Sequence, residues 1–277
     1  MLVKIQFVLE VSVDKFSIEL VMSEFGHVRQ NAGGGSLSQA DRLNPTLNSF
    51  RKIFPTATVT LYTDQDLTVR GSVRTIKVSP PFNRDEARYG WRAHDYYQAV
   101  GMLESSADIV IAMDSDMLIV SDNFCALVEL AEIFGLAVPI NPRLLQKIDG
   151  GIGMDSTYDA ALDKTMGLGL TYNLTQIAFS THNKSARTLL ECYIEKLRKR
   201  PGRGAVHLVD ASYDIGYQPC VLPPQWCVCS SRDFDSKHIW REAIALHIGH
   251  KDVLPRWKSE MRKEKFRKLI SKAWRRQ

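Results

Sequence analysis

A chain of 277 residues can hold one large α/β domain or two small ones, and an apolar share of 44% supports a sizeable core and excludes a disordered chain. The formal charge is +5, but residues 251–277 carry eleven Lys/Arg against three Asp/Glu, about +8, which leaves the first 250 residues near −3. A mildly acidic body with a basic tail argues against a nucleic-acid binder, whose cations are expected on the fold itself.

No apolar run approaches membrane-spanning length, and residues 1–20 are broken by Lys4, Glu10, Asp14, Lys15 and Glu19. Neither a secretory signal nor a membrane anchor is expected, and a cytoplasmic location follows. The five cysteines are an odd number. Cys220, Cys227 and Cys229 lie close together without paired Cys-x-x-Cys units, so free or buried thiols are expected rather than a zinc site. Asn173-Leu174-Thr175 and Asn183-Lys184-Ser185 match the glycosylation triplet, which matters only in a secretory compartment.

In chain order, residues 3–9 form a strand candidate, and residues 14–25 read as a helix with Phe16, Leu20 and Val21 on one side. Residues 26–41 are polar and contain Gly33-Gly34-Gly35, a loop pattern; no Lys-Ser/Thr follows, so flexibility is favoured over a phosphate cradle. Pro45 in a first turn, with Leu47, Phe50 and Phe54 on one face, predicts a helix over 45–54 that Pro55 stops. Strands are expected over 57–64, ending in Asp64, and over 73–78, closed by Pro80-Pro81. A helix over 85–103 then leads into the apolar run Ile109-Val110-Ile111-Ala112-Met113.

Further on, the spacing predicts a helix over 124–134, a short strand over 136–140, a strand over 173–179 and an amphipathic helix over 185–198 carrying Leu189, Leu190, Tyr193, Ile194 and Leu197. Residues 141–172 are rich in Gly and Asp and give no assignment. This βα alternation predicts one α/β domain over residues 1–250, a mainly parallel central sheet flanked by helices. Residues 251–277 form a basic tail in which Met261, Lys265, Phe266, Leu269, Ile270 and Trp274 recur at helical spacing. That tail suits a solvated helix, a face packed on the domain, peripheral contact with an anionic membrane, or an arm clamping a nucleic acid, and its interleaved apolar residues and cations favour the membrane interface or packing on the domain.

Two motifs carry chemistry. The run 109–113 reads as a strand buried on both faces, and it ends in Asp114-Ser115-Asp116. In an open α/β sheet, ligands bind where such strands end. Two carboxylates one residue apart repel unless a cation lies between them, and a hard divalent ion is the simplest partner. Ala245-Leu246-His247-Ile248-Gly249-His250-Lys251 then delivers two imidazoles, a glycine and a lysine after an apolar lead-in. Imidazole suits Mn²⁺-type ions, Gly permits close backbone approach, and Lys offsets anionic charge.

Together these motifs resemble the GT-A nucleotide-sugar glycosyltransferases, especially those like family 8, which pair Asp-X-Asp with a C-terminal His-x-x-Gly-x-x-Lys segment. Here that segment is compressed to His247-Ile248-Gly249-His250-Lys251, so either His247, the first choice, or His250 is the candidate ligand. Asp210-Ala211-Ser212-Tyr213-Asp214 and Leu222-Pro223-Pro224-Gln225-Trp226-Cys227 resemble the family's Asp-Gln…Leu-Pro-x-x-Trp-Asn region, with Ala211 for Gln and Cys227 for Asn.

The resemblance implies Mn²⁺ (or Mg²⁺) held by Asp114, Asp116 and His247 against the diphosphate of a sugar donor, expected to be UDP-linked. It implies Lys251 and Gly249 at that diphosphate, and Asp114 and Ser115 beside the donor. Arg88 and Arg92, with Arg84 and Asp95 near them, would lie by the phosphates or form a solvated salt-bridged face. Asp64 would meet the nucleoside or serve a turn. Asp210 would act as base or face the sugar, with Asp149 and Asp155 as further contacts. The acceptor would be a glycan, lipid-linked or protein hydroxyl. Rival readings are a nucleotidyltransferase and a non-catalytic domain that binds sugar nucleotide or carbohydrate.

Overall fold

Strand β1 (Ile18–Glu24) lies at the centre of the parallel half of the sheet, paired with β2 (Thr58–Thr63) on one side and β4 (Ile109–Met113) on the other. β3 (Arg74–Lys77) continues the sheet beyond β2, also in parallel. The structure is a computed structural model that describes residues 15–26, 39–67, 69, 71–86, 89–144, 170–202, 204–229 and 236–274.

The helix expected over 14–25 is therefore corrected to a strand. Leu20, Val21 and Met22 are consecutive apolar residues, and a short run of this kind suits a doubly buried strand as well as a helix. Pairing on both edges decides between them. The strand expected over 3–9 and the triple-glycine stretch lie outside the described residues.

Beyond β4 the sheet becomes antiparallel. β8 (Gln176–Ser180) runs against both β4 and β6 (Leu136–Leu144), and β7 (Leu170–Tyr172) runs against β6. β9 (Cys220–Leu222) pairs with β6 in parallel. The strand order is β3-β2-β1-β4-β8-β6-β7, with β9 also on β6. The chain is thus α/β with a mixed central sheet, not the mainly parallel one expected. Local alternation marks the elements, but the direction in which β8 meets β4 depends on a contact between segments more than sixty residues apart, which no local pattern carries.

Alternation along β4 distributes its side chains between two apolar layers. Ile109, Ile111 and Met113 face one cluster with Leu43, Leu47 and Phe50 of α1 (Gln39–Ile53). Val110 and Ala112 face another, with Ala93, Ala99 and Met102 of α2 (Tyr89–Glu104) and Leu189, Leu190 and Tyr193 of α4 (Lys184–Lys199). α3 (Ala126–Phe134) directly precedes β6 in the chain, and α5 (Gly204–Ile215) packs on α4. α1 begins six residues before Pro45, so that proline sits inside the helix rather than in its first turn.

A separate ribbon pairs β5 (Met117–Ile119) with β10 (Ala245–His247), antiparallel, with Met117 opposite His247. The short helix α6 (Lys237–Arg241) and the long helix α7 (Val253–Trp274) flank it. The basic tail begins packed on the domain: Val253 is fully buried, Trp257 packs on the core, and buried Glu260 accepts a hydrogen bond from Lys263. The side chains of Phe266, Leu269, Ile270 and Trp274 lie outside the described residues. Among the described residues, no helix is long and apolar enough to cross a membrane.

Gly101 sets how closely α2 approaches the sheet. A Cβ there would lie 2.6 Å from Val21 Cγ1 and 2.8 Å from Tyr62 Cε2. Alanine favours an exposed helix over glycine by ~1 kcal/mol, but overpacking a core costs ~1–3 kcal/mol. Gly101→Ala should therefore lower the thermal unfolding midpoint; a raised midpoint would show that Val21 and Tyr62 yield freely.

Candidate functional site

Ligands of open α/β sheets occupy the crevice at the carboxyl edge where strand order reverses. Here the chain passes from β1 to β2 and β3, then returns to place β4 on the other side of β1, so the reversal falls between β1 and β4. Asp114, Ser115 and Asp116 form the turn directly after β4, and Glu24 closes β1. The Asp114 N–H donates to the Thr175 carbonyl at 2.8 Å. The buried Thr46 hydroxyl lies 2.7 Å from the Ser115 carbonyl and 2.8 Å from that of Met117, and accepts the Met117 N–H at 3.0 Å. These bonds hold the turn against α1 and β8.

The β5–β10 ribbon brings the second motif to this turn. The Ile248 N–H donates to the Asp116 carbonyl at 2.8 Å. His247 Nε2 lies 3.0 Å from Asp116 Oδ1 and 3.9 Å from Asp114 Oδ2. One ligand atom from each of the three residues falls within 4.8 Å of the others. An ion coordinated at ~2.1 Å separates its neighbouring ligands by ~3–4 Å, so this spacing fits a small divalent cation. Two carboxylates and an imidazole form a donor set able to hold a divalent metal ion.

Gly249 is part of this fit. A Cβ on it would stand 2.0 Å from Asp116 Oδ2 and 3.3 Å from His247 Nε2, so only glycine leaves the carboxylate its place. His250, the other candidate ligand, is exposed and sets its ring edgewise against His247 with centroids 5.0 Å apart. The carboxylate pair is met by His247.

The electrostatics follow from burial. The side chains of Asp114, Asp116 and His247 are 6%, 20% and 16% exposed. Burial opposes a charge on His247, but the charge and hydrogen bond of Asp116, with the charge of Asp114, outweigh it and lift the pKa to about 9. Without a metal, His247 thus carries a proton at neutral pH and acts as counter-ion to the pair.

A buried shell supports the turn. His94 Nε2 lies 2.7 Å from Asp114 Oδ1, and Gln98 Nε2 donates to the same oxygen at 3.4 Å. Ser115 donates its hydroxyl to Glu24 Oε1. The Cys227 sulfur lies 2.8 Å from Thr175 Oγ1 and accepts from Asn173 Nδ2 at 3.3 Å, and burial raises its thiol pKa well above the usual range. It is therefore a neutral packing group beside the carboxylates. None of the five cysteines forms a disulfide. His94 and Gln98 were missed at the level of sequence; the available signal was two polar residues four apart on one face of α2, beside Gly90, Gly101 and Met102.

The remaining candidates fall elsewhere. Arg92 is buried and paired: Nη1 pairs with Glu86 at 2.7 Å, Nε donates to the Leu197 carbonyl at 2.8 Å, and Nη2 donates to that of Arg198 at 3.0 Å. It clamps α2 to the end of α4 through all three of its nitrogens, so it is a buried tie between helices rather than part of a solvated face. Arg88 and Asp149, like Asp155, lie outside the described residues. Asp64 accepts from the Gly26 N–H at 3.2 Å and from the Tyr89 hydroxyl at 3.0 Å, tying the turn after β1 to the start of α2. The Ser115 hydroxyl points inward to Glu24 rather than into the crevice. Asp210, in α5, pairs with Lys196 of α4 in a cluster that includes Asp214, and is not among the three converging groups. Lys251 is exposed in the turn after Gly249.

No protein-family model matches the sequence, and a comparison with curated proteins finds no match. The reading of the site rests on its own geometry.

Two outcomes follow. Because the folded pKa of His247 lies above its ordinary value of 6.5, its stabilising contribution is complete below pH 6.5 and is lost as pH rises through about 9. Denaturant unfolding of the metal-free chain in chelator should show stability falling over that window, by up to ~1.4 kcal/mol per pH unit. His247→Gln should remove the slope. A metal must displace the same proton, so apparent Mn²⁺ affinity should rise ~tenfold per pH unit up to about pH 9. Separately, Gly249→Ala should push the Asp116 carboxylate aside and weaken Mn²⁺ binding by ~tenfold or more, read by titration of free Mn²⁺.

Proposed function

We propose that this chain is a metal-dependent glycosyltransferase of GT-A-like architecture, moving a sugar from a nucleotide diphosphate donor, UDP-linked, to a hydroxyl of a glycan or other acceptor. The observation that carries this reading is the convergence of Asp114, Asp116 and His247 at the carboxyl edge of the β1–β4 crevice. The mixed α/β sheet, with the carboxylate turn at the end of a doubly buried parallel strand, is compatible with it.

In this proposal Asp114, Asp116 and His247 hold Mn²⁺ or Mg²⁺. The ion supplies Lewis-acid stabilisation of negative charge on the departing diphosphate. Gly249 leaves space for the Asp116 carboxylate and allows the backbone of its turn close to a phosphate. Lys251, exposed two residues on, adds a cation that a diphosphate oxygen can reach. The Thr46, Thr175 and Ile248 bonds keep the turn rigid, so that the donor meets a preformed set of charges. Asp210 stays with Lys196 and takes no part in the transfer.

The test is a thermal-shift panel of UDP- and GDP-sugars with and without Mn²⁺, on wild type and Asp116→Ala, followed by product analysis. One donor should raise the midpoint only with metal, and that shift should vanish in the variant while its own fold persists. Release of the nucleoside diphosphate supports sugar transfer, whereas release of pyrophosphate would identify a nucleotidyltransferase. Metal-dependent turnover undiminished in Asp116→Ala would overturn the reading.

A further inference from the structure

The two oxygens of Asp114 have different surroundings. Oδ1 is covered from inside the domain by His94 Nε2 at 2.7 Å and by Gln98 Nε2 at 3.4 Å. Oδ2 is the oxygen directed toward His247 Nε2, at 3.9 Å. His94 and Gln98 stand four residues apart on α2, one helical turn, so both reach the same oxygen from one face of a buried helix. The His94 side chain is 2% exposed. Its far nitrogen is also held: Nδ1 lies 3.0 Å from the Ser23 carbonyl and 2.5 Å from the Ser23 hydroxyl. Ser23 belongs to β1 and Asp114 follows β4, so the imidazole bridges the two strands that bound the crevice.

We infer that His94 is a positioning residue that fixes the Asp114 carboxylate through Oδ1, so that Oδ2 is turned toward His247 and the site of a divalent ion. The inference rests on the metal reading of Asp114, Asp116 and His247. The physical consequence is a restriction on coordination. A carboxylate free to rotate can bind through both oxygens, as the six to eight ligands of Ca²⁺ encourage; one pinned through Oδ1 is biased toward binding through Oδ2, which suits the smaller octahedral ions. Hydrogen-bond partners of metal ligands typically contribute 10–100-fold to metal affinity.

Two polar substitutions separate the role of the hydrogen bond from that of packing. In His94→Gln the side-chain amide can take the place of Nε2 and donate to Asp114. In His94→Asn the shorter amide can take the place of Nδ1 against Ser23 but cannot reach Asp114. Binding of Mn²⁺, followed by the loss of the free-ion EPR signal with no donor or acceptor present, reads the metal centre without turnover. Competition by Ca²⁺ gives the selectivity.

His94→Asn should bind Mn²⁺ ~10–100-fold more weakly than wild type and discriminate less against Ca²⁺, while His94→Gln should stay within about fivefold of wild type. Both should melt as folded proteins. Equal Mn²⁺ affinity in His94→Asn and wild type would overturn the inference, as would equal losses in both variants. Gln98→Leu, which removes only the weaker donor, gives a check independent of position 94: a loss smaller than that of His94→Asn is expected, and a larger one counts against His94. Asp116→Ala separates the two levels. If it abolishes Mn²⁺ binding while His94→Asn does not change it, the positioning role fails alone; if it binds Mn²⁺ as wild type does, the metal centre fails.

Discussion

Like-charge repulsion inside the turn after β4 is the constraint on which the rest of the site depends. Asp114 and Asp116 are one residue apart, largely withdrawn from water, and held by backbone bonds that prevent them from swinging into solvent. A pair so placed needs compensating positive charge, because the low local dielectric strengthens repulsion as it strengthens attraction. In the metal-free protein the proton on His247 supplies it. A divalent ion would supply twice that charge and would release the proton. Folding of the acidic turn and affinity for a cation thus follow from the same electrostatics.

The sheet makes this turn possible. β4 is buried on both faces, so its end is fixed by β1 on one side and β8 on the other. The carboxylates stand at the strand-order reversal, where helices leave the sheet in different directions and a crevice opens. The opposite half of the triad arrives on a separate two-stranded ribbon, and Met117 opposite His247 sets its register. A slip of one residue in that ribbon would turn His247 away from Asp116, since side chains alternate between faces. The precision of the site therefore depends on the bonds of a short ribbon, reinforced by the close approach at Gly249.

Several charged groups near the crevice hold elements together. Arg92 has each of its nitrogens engaged by Glu86 and by the last carbonyls of α4, so it completes the end of that helix. Asp64 binds the turn after β1 to Tyr89. Lys196 joins α4 to α5 through Asp210 and Asp214. Each is a polar group for which partial burial requires partners, and the nearest partners are structural.

The sequence by itself determined that the chain is α/β, that β4 is a doubly buried strand, and that Asp114 and Asp116 stand at its carboxyl end. These depend on short-range information: an unbroken apolar run, rich in β-branched residues, cut off by carboxylates. It also marked His247 and Gly249 as residues able to serve such a pair. Only the tertiary structure decided the rest. It made residues 18–24 a strand, because neighbours on both edges were needed to choose between strand and helix. It reversed the direction of β8 against β4, selected His247 over His250 through the register of the ribbon, and directed Arg92 into the protein. It also placed His94 on Asp114 Oδ1, a contact between a helix face and a strand end twenty residues later, for which the helix pattern records the face but not the partner. Local propensity and spacing describe elements; side-chain partners are set by how those elements pack.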